Sequence, residues 1–352
     1  MKIALIRRGY VTHLDGVNRF IAWLAEGFYK LGHEPVVLSW CFKGDVPRDE
    51  LGKWFKEVHG LDVELPIETL RNTPCQGDPW AKMLFEWYVK GSSILKSRGV
   101  EVAIVNGVVP LRFKPKIAVA HGPLPTISRW RRFVLKTLYS AYDVVVCVSK
   151  ASQSEYRGIV TCDAIIPLPM KLDLYRPRDT RESIVVHIGT RPIKNPHVSI
   201  EAVEMLRSRG IEVDLYIIGS RAPYIEELVK NKPYIHLLFD VSEREKVEVL
   251  CRAKALILPS SGEAFPFTTL EAMACGTPPV VSYAVPEEVV IDRFNGLRIN
   301  SLDPKAYTGA LEKLLTDNEL WETLKRNGLG FVKQFDYIDV AKKYLSLIDS
   351  LV

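Results

Sequence analysis

Two glutamates stand with seven residues between them in the segment Ser-Gly-Glu263-Ala-Phe-Pro-Phe-Thr-Thr-Leu-Glu271. Glu263 lies in a Gly/Pro loop, whereas Glu271 falls inside a short helical pattern that Gly276 ends. The start of a helix offers backbone N–H groups to phosphate, and carboxylates accept hydrogen bonds from hydroxyls. The segment therefore predicts a site for one elongated polar ligand, such as a nucleotide-sugar.

A pair of cations follows the first predicted strand of the second half of the chain. Arg191 and Lys194 come after Ile184–Ile188 and before a helical pattern. Anions bind at the carboxyl ends of parallel strands, so these cations are placed to stabilise a departing diphosphate. The alternative is an ordinary turn in which both side chains are solvated.

The first half of the chain holds four further candidate residues in the loops after two predicted strands. Asp15 and Gly16 follow the first strand, where a glycine lets the backbone approach a phosphate or sugar; the alternative is a helix-starting turn that Asp15 caps. His121 directly follows a buried strand and is placed to bond a hydroxyl or position the reacting carbon; the alternative is a structural histidine. His13 is a weaker candidate. The G-x-G-x-x-G fingerprint of dinucleotide sites is absent from this loop.

Several classes of chemistry lack their signatures. No two aspartates stand two positions apart, no His/Cys group has metal-ligand spacing, and no G-x-S-x-G elbow occurs. We therefore expect neither a metal ion nor another cofactor. The net charge of +5 is too small to suggest a nucleic-acid partner.

The cysteines and the apolar segments bear on location. The six cysteines form no C-x-x-C pair and mostly lie in apolar runs, which predicts buried free thiols of a reducing compartment: Cys41, Cys75, Cys147, Cys162, Cys251 and Cys275. The chain starts in a strand, without a signal-peptide pattern, and has no apolar run long enough to span a bilayer. These features predict a cytoplasmic protein.

Strand and helix patterns alternate in two series. The first series has strands at 2–6, 35–40, 102–106, 117–120 and 144–148, with helices at 17–31, 80–97 and 126–142. The second has strands at 184–188, 213–218, 235–238, 255–258 and 279–281, with helices at 197–209, 225–230, 244–252 and beyond 304. A proline-rich segment joins them. With 352 residues, we expect two Rossmann-like domains facing each other across a cleft.

A basic-aromatic run, Arg-Trp-Arg-Arg-Phe-Val-Leu-Lys at residues 129–136, is the strongest local positive patch. On a helix, Trp130, Phe133 and Val134 share a face with arginines beside it, an arrangement suited to anionic lipid heads. The alternative is a surface helix whose apolar side packs on the sheet.

Taken together, these residues resemble the retaining glycosyltransferases of family 4, also called glycosyl transferases group 1. The most specific similarity is Glu263-x7-Glu271 followed by Ala-Met-Ala-Cys-Gly276-Thr-Pro278, which resembles the family pattern E-G-F-G-x4-E-A-M-A-x-G-x-P. The resemblance implies the GT-B fold, an α/β architecture of two facing Rossmann-like, doubly wound parallel-sheet domains. It implies an acceptor-binding domain at 1–172, a donor-binding domain at 173–335, and a C-terminal helix at about 336–352 that crosses back to the first.

The resemblance also implies roles for individual residues. Glu271 would hold the ribose hydroxyls and Glu263 the donor sugar, while Arg191 and Lys194 would bind the diphosphate. Donor contacts are also implied for the first loop and for the loop before Glu271: Asp15, Gly16, Ala264, Phe265, Pro266, Phe267 and Thr268. His121 matches a histidine that the family places after a strand of the N-terminal domain.

The match is incomplete at several of these positions. Asp15 stands where the family usually has a glycine, and Ala264 and Pro266 replace two loop glycines. The basic motif is one residue short, so either Thr190 or Arg191 occupies the place of the family arginine. These departures affect the identity of the sugar more than the reaction.

The implied activity is metal-independent transfer of a sugar from a nucleoside-diphosphate sugar to an acceptor hydroxyl, with the anomeric configuration retained. Sugar, lipid-linked and protein acceptors are all left open, with a slight preference for a membrane-associated one, and peripheral contact with an anionic membrane at its cytoplasmic face is left open as well. The alternatives are a nucleotide-sugar epimerase or hydrolase, a phosphorylase on the same fold, and a non-catalytic nucleotide-sugar binding protein.

Overall fold

The structure is a computed structural model that describes residues 1–12, 15–44, 46–75, 77, 80–122 and 128–351. His13 lies outside the described residues, as do residues 126–127 at the start of the predicted helix 126–142. The chain forms two compact units: Met1–Lys171 together with Phe335–Val352 make the first, and Leu172–Gln334 make the second.

The first unit is built on a seven-stranded parallel sheet with the order β3-β2-β1-β4-β5-β6-β7. Its strands are β1 Lys2–Tyr10, β2 Glu34–Cys41, β3 Ile67–Thr69, β4 Val102–Asn106, β5 Lys116–Ala120, β6 Val144–Cys147 and β7 Ala164–Ile165. Its helices are α1 Gly16–Lys30, α2 Leu51–His59, α3 Trp80–Glu86, α4 Ser92–Ser97, α5 Arg129–Tyr139 and α6 Lys150–Glu155, with a π-helical turn, Trp87–Gly91, between α3 and α4.

The second unit is built on a six-stranded parallel sheet with the order β10-β9-β8-β11-β12-β13. Its strands are β8 Ile184–Ile188, β9 Asp214–Gly219, β10 Ile235–Phe239, β11 Ala255–Leu258, β12 Pro279–Ser282 and β13 Leu297–Ile299. Its helices are α7 Pro196–Ser208, α8 Pro223–Leu228, α9 Glu243–Arg252, α10 Phe267–Ala274, α11 Pro304–Thr316 and α12 Asn318–Val332.

The last helix, α13 Tyr337–Asp349, follows the second unit in sequence but belongs to the first. It packs closely on α1 at Gly27, where a Cβ atom would lie 2.8 Å from the backbone oxygen of Tyr337. A larger residue would push the two helices apart. Two Rossmann-like parallel-sheet domains with a C-terminal helix returning to the first confirm the predicted fold class.

Side chains alternate between the two faces of the first sheet. Ala4 and Ile6 of β1 belong to a core that also contains Met83, Trp87 and Tyr139. The segment from α3 to α4 and the end of α5 therefore cover the same face of the sheet.

The structure corrects the prediction that the cysteines are free thiols. All six form disulfides, Cys41–Cys75, Cys147–Cys162 and Cys251–Cys275. The partners are 34, 15 and 24 residues apart in the sequence, so it is the fold that brings them together. No local sequence motif could have indicated these pairings. Within the described part of the chain, no helix combines the length and the apolar character needed to span a bilayer.

Candidate functional site

The strand order of the second sheet places a switch point between β8 and β11, because the chain leaves these neighbouring strands in opposite directions along the sheet. Open parallel sheets bind ligands at such points, outside the carboxyl ends of the strands. Lys194 ends a short 3-10 turn, Pro192–Lys194, after β8. Glu263 lies in the loop after β11. Two predicted site residues thus follow the two strands that flank the switch point.

Lys194 and Glu263 form a direct ion pair, in which the lysine Nζ donates to Oε1 of the glutamate. Both side chains are largely buried. Gly189 makes room for the lysine: its φ is +117°, and a Cβ atom there would lie 2.9 Å from Cγ of Lys194. Because an ammonium group has three N–H donors, Lys194 can bind an anion while still contacting the glutamate.

The two loops that carry this pair are also fastened by neutral hydrogen bonds. Asn195 adopts a left-handed conformation with φ 50°. Its Nδ2 donates to the Pro259 oxygen at 2.8 Å and to the Ser261 Oγ at 2.6 Å. The Ser261 amide in turn donates to the Ile193 oxygen at 2.8 Å. The loop after β8 and the loop after β11 therefore form one connected structure.

Glu271 is fully buried on α10, where it contacts a lysine that the sequence reasoning missed. Lys246 Nζ lies 2.8 Å from Glu271 Oε2 and 2.7 Å from Glu243 Oε1. Glu243 and Lys246 are one helical turn apart on α9, a spacing readable from the sequence. The contact of Lys246 with Glu271 joins positions 25 residues apart, so it depends on the fold. The lysine holds one oxygen of Glu271 in place.

The loop before α10 brings the remaining predicted residues of this unit together. Ala264 and Phe267 are buried, whereas Phe265 and Thr268 are half-buried. Pro266 is the N-cap residue, and its side chain has no acceptor for the amides of the first turn. Within the described part of the chain, the buried Thr268 Oγ1 has no hydrogen-bond partner. The helix start therefore combines backbone amides with a hydroxyl group.

Thr190 and Arg191, the two alternatives for the family arginine, lie in different environments. Thr190 is buried, and its Oγ1 donates to the Ser220 oxygen at 2.7 Å. The Arg191 side chain is exposed at the start of the 3-10 turn. Exposure leaves Arg191 able to meet a ligand, while Thr190 fastens the loop to the end of β9.

His187 of β8 is a buried histidine beneath this loop. Its Nδ1 lies 2.8 Å from Ser199 Oγ and its Nε2 lies 2.8 Å from the Gly189 oxygen. Burial lowers the pKa of His187 to about 4, so the ring is neutral near pH 7. Since a carbonyl oxygen can only accept, Nε2 carries the proton and supports the backbone of Gly189.

In the first unit, Asp15 and Gly16 form the start of α1. The Asp15 carboxylate caps the helix by accepting from the Asn18 amide at 2.9 Å, and its other oxygen accepts from Arg7 Nη2 at 2.6 Å. The capping role that the sequence left as an alternative is thus present. It fixes the start of α1, whose first residue is Gly16.

His121 lies at the end of β5, beside the end of β4. Its Nε2 is 2.8 Å from Asn106 Oδ1, and its ring stands edge-on to Phe20. Asn106 Nδ2 donates to the Ile6 oxygen, so Oδ1 is an acceptor and Nε2 of the histidine must donate. Burial lowers the pKa of His121 to about 4, with the positive charge of Arg7 contributing. Nδ1 of this neutral ring therefore carries no proton and can accept a hydrogen bond.

Two family models match the chain, one in each unit. The family described as "Glycosyltransferase Family 4" matches residues 14–169, and "Glycosyl transferases group 1" matches residues 176–330. The protein is a glycosyltransferase with the GT-B fold. It belongs to the group 1/family 4 glycosyltransferases, as the sequence resemblance predicted.

Two relatives match most of the chain. An uncharacterized glycosyltransferase of Methanocaldococcus jannaschii is 28% identical over 295 residues, covering 76% of this chain and 81% of the relative. The MMP alpha-(1->4)-mannosyltransferase of Mycolicibacterium hassiacum is 24% identical, covering 100% of this chain and 98% of the relative.

Solved structures share the architecture. The sucrose-phosphate synthase from Thermosynechococcus elongatus has a TM-score of 0.81 at 19% identity, with 100% of this chain and 99% of the other covered. Anabaena HepE, in complex with UDP and glucose, has a TM-score of 0.77 at 16% identity, with both chains covered completely. At these identities the likeness establishes the fold alone.

Proposed function

We propose that the protein transfers a sugar from a nucleoside-diphosphate sugar to an acceptor hydroxyl, with retention of anomeric configuration and without a metal ion. The observation that carries this proposal is the arrangement after β8 and β11: Lys194 paired with Glu263, and Glu271 held by Lys246 on the adjoining helix. Cations, carboxylates and a helix start together match a ligand that carries both phosphates and hydroxyls.

Each group in the second unit matches one part of such a donor. Glu271 accepts from the ribose hydroxyls, and Glu263 accepts from hydroxyls of the sugar. Lys194 and Arg191 bind the diphosphate and stabilise the charge that develops as it departs. The amides of residues 264–268, with the Thr268 hydroxyl, approach the diphosphate and the sugar. In the first unit, taken by itself, the proposed role of His121 Nδ1 is to accept from a ligand hydroxyl.

The pairing of Glu263 bears on the mechanism. A carboxylate engaged by a lysine is less nucleophilic than a free one, which disfavours a glycosyl–enzyme intermediate on Glu263. Retention then requires that acceptor and leaving group share one face of the sugar. The bond from C1 to the phosphate oxygen breaks, the acceptor oxygen bonds to C1, and the acceptor's proton passes to the departing phosphate oxygen.

The names of similar proteins support this class of donor. A Mycobacterium tuberculosis relative, 29% identical over 157 residues, is named a GDP-mannose-dependent mannosyltransferase. HepE has been solved with UDP-glucose. Both a uridine and a guanosine donor are therefore candidates for this chain, and the acceptor is a sugar or a lipid-linked molecule.

A thermal-shift screen against UDP-glucose, GDP-mannose and ADP-glucose tests the donor. We expect one of them to raise the melting temperature and Glu271→Gln to abolish that shift. Glu248→Gln, an exposed change on α9, is the matched control and should respond like the native protein. The proposal fails if no nucleotide-sugar shifts the protein, or if both variants respond equally.

The reaction is tested with the donor that the screen identifies. NMR of the product should show the donor's anomeric configuration, and EDTA should leave the rate unchanged. Inversion would refute the retaining mechanism, and loss of activity with EDTA would refute metal independence. Release of nucleotide at the same rate without any acceptor would instead support a hydrolase or epimerase.

A further inference from the structure

Helix α5 exposes large aromatic side chains that a helix packed on a sheet ordinarily buries. Trp130 and Phe133 are 68% and 62% exposed. Their rings stack on each other, with centroids 6.0 Å apart and planes inclined by 27°. Tyr139, at the other end of α5, is buried in the core. The helix is thus anchored at its C-terminal end, while its N-terminal half presents an apolar pair to solvent.

The charges on α5 itself are all of one sign. Residues 129–140 contain Arg129, Arg131, Arg132 and Lys136 and no acidic residue. All four basic side chains are exposed. We refer to Arg129–Lys136 as the α5 surface. It differs from an ordinary solvated helix, in which charges of both signs are interspersed.

A second exposed apolar group lies on the same face of the sheet. Phe85, Tyr88 and Val89 are 66%, 42% and 54% exposed on the segment from α3 into the π-helical turn. Met83 and Trp87 of that segment pack into the core that also receives Tyr139 of α5. Both apolar groups therefore project from the layer that covers one face of the first unit.

Basic residues accompany the second group as well. Lys82 and Lys90 are exposed in the same segment, and the guanidinium of Arg112 stacks 4.3 Å from the ring centroid of Tyr88. Glu86, the acidic residue between the two lysines, turns inward and accepts from the Trp40 indole. The exposed part of this segment is thus positive and apolar, like the α5 surface.

We propose that this face of the first unit docks on an anionic lipid bilayer. Tryptophan and phenylalanine insert at the level of the headgroups, and arginines and lysines beside them bind lipid phosphate. A polyanion such as RNA or an acidic polysaccharide would satisfy the charges but not the exposed apolar groups on two helical segments. Helix α5 connects β5 to β6, so its first turn lies near the carboxyl ends of the strands of the first sheet. His121, which directly follows β5, lies at the same side of the sheet. Docking there brings the bilayer surface close to that side of the sheet.

The test is co-sedimentation of the full chain with vesicles. One set is phosphatidylcholine alone, and the other contains about one third phosphatidylglycerol. We expect binding to the anionic vesicles only, and its loss when the salt concentration is raised from 0.1 M to 0.5 M. Neither donor nor acceptor is needed, so the result is independent of the proposed catalytic function.

Variants of the α5 surface assign the binding to these residues. The double variant Trp130→Ser with Phe133→Ser should weaken partitioning by at least about tenfold. Each basic residue near an anionic surface raises the affinity for the vesicles about fivefold. The triple variant Arg129→Gln, Arg131→Gln and Arg132→Gln should therefore bind the anionic vesicles about a hundredfold more weakly. Its control removes the same charge from exposed positions of the second unit: Lys305→Gln, Lys313→Gln and Arg326→Gln.

The changed side chains are exposed, so the variants should melt at the native temperature. The proposal is supported if the α5 variants lose vesicle binding and the charge control retains it. The proposal is overturned if the native protein fails to sediment with anionic vesicles, if it binds neutral vesicles equally well, or if the α5 variants bind like the native protein. It is also overturned if the same residues bind a heparin column while vesicles are not bound.

Discussion

Replacing Lys246 by methionine should be among the most damaging single changes in the second unit. The lysine lies 2.8 Å from Glu271 and 2.7 Å from Glu243, and all three side chains are buried. At an effective dielectric constant of about 20, each attraction amounts to about 6 kcal/mol, offset by several kcal/mol of desolvation per ion. Removing the lysine also takes away the positive charge that both carboxylates contact. We expect a loss of about 3–5 kcal/mol in the free energy of unfolding.

Urea denaturation of the native protein and Lys246→Met measures this loss. Arg209→Met is the control, because Arg209 forms an equally close but half-exposed pair with Glu312 on the same unit. That change should cost less than about 1 kcal/mol. Lys246→Met that is still folded should also bind the donor at least about tenfold more weakly, since Lys246 no longer helps to orient Glu271. A Lys246→Met protein within about 1 kcal/mol of the native protein would refute the reasoning.

Three further predictions concern the same unit. Gly189→Ala should lower the free energy of unfolding by about 1–3 kcal/mol, because Gly189 has a positive φ and the Lys194 side chain lies close to it. Gly309→Ala, in open space on α11, should raise the free energy of unfolding by about 0.5–1 kcal/mol. Urea denaturation compares the two variants. His187 has a pKa of about 4 in the folded protein, against an ordinary value of 6.5. Between these values the unfolded chain binds the proton more readily, so the contribution of His187 to the free energy of unfolding is complete above pH 6.5 and falls by about 3 kcal/mol as the pH is lowered to 4. A His187→Asn variant measured over the same range should lack that part of the slope. Joint replacement of Cys251 and Cys275 by serine should lower the free energy of unfolding by about 3 kcal/mol. Alkylation of the native protein without reductant should label no thiol.

Each of these has a contradicting outcome. Equal stabilities for the two glycine variants would remove the argument from backbone conformation. A His187→Asn protein with the native pH slope would show that the histidine is not held neutral by burial. Labelling of six cysteines in the native protein would show that the disulfides are absent.

Much of the fold could be predicted because its signals are local. The strands Val102–Asn106, Ile184–Ile188 and Ala255–Leu258 are apolar runs buried on both sides, and their bounds agree with the sequence pattern. The short edge strands β3, β7 and β13 were missed. An edge strand of two or three residues carries too little apolar character to be recognised.

The candidate site divides in the same way between local and distant contacts. Lys194 and Glu263 were predicted as site residues separately, but their contact joins positions 69 residues apart. Lys246 was missed because its importance comes from Glu271, which no spacing along α9 could reveal. The cysteines were misjudged for the same reason, since each partner is supplied by a distant part of the chain.

The most direct test of the donor site is the contribution of Lys194 to diphosphate binding. Calorimetric titration compares the nucleoside diphosphate with the corresponding nucleoside, for the native protein and for Lys194→Met. We predict that the native protein prefers the diphosphate by at least about tenfold, and that Lys194→Met loses most of this preference, with Arg191 and the helix amides supplying the rest. An unchanged preference in the variant would contradict the central claim that this lysine, paired with Glu263 after β8, binds the diphosphate of the donor.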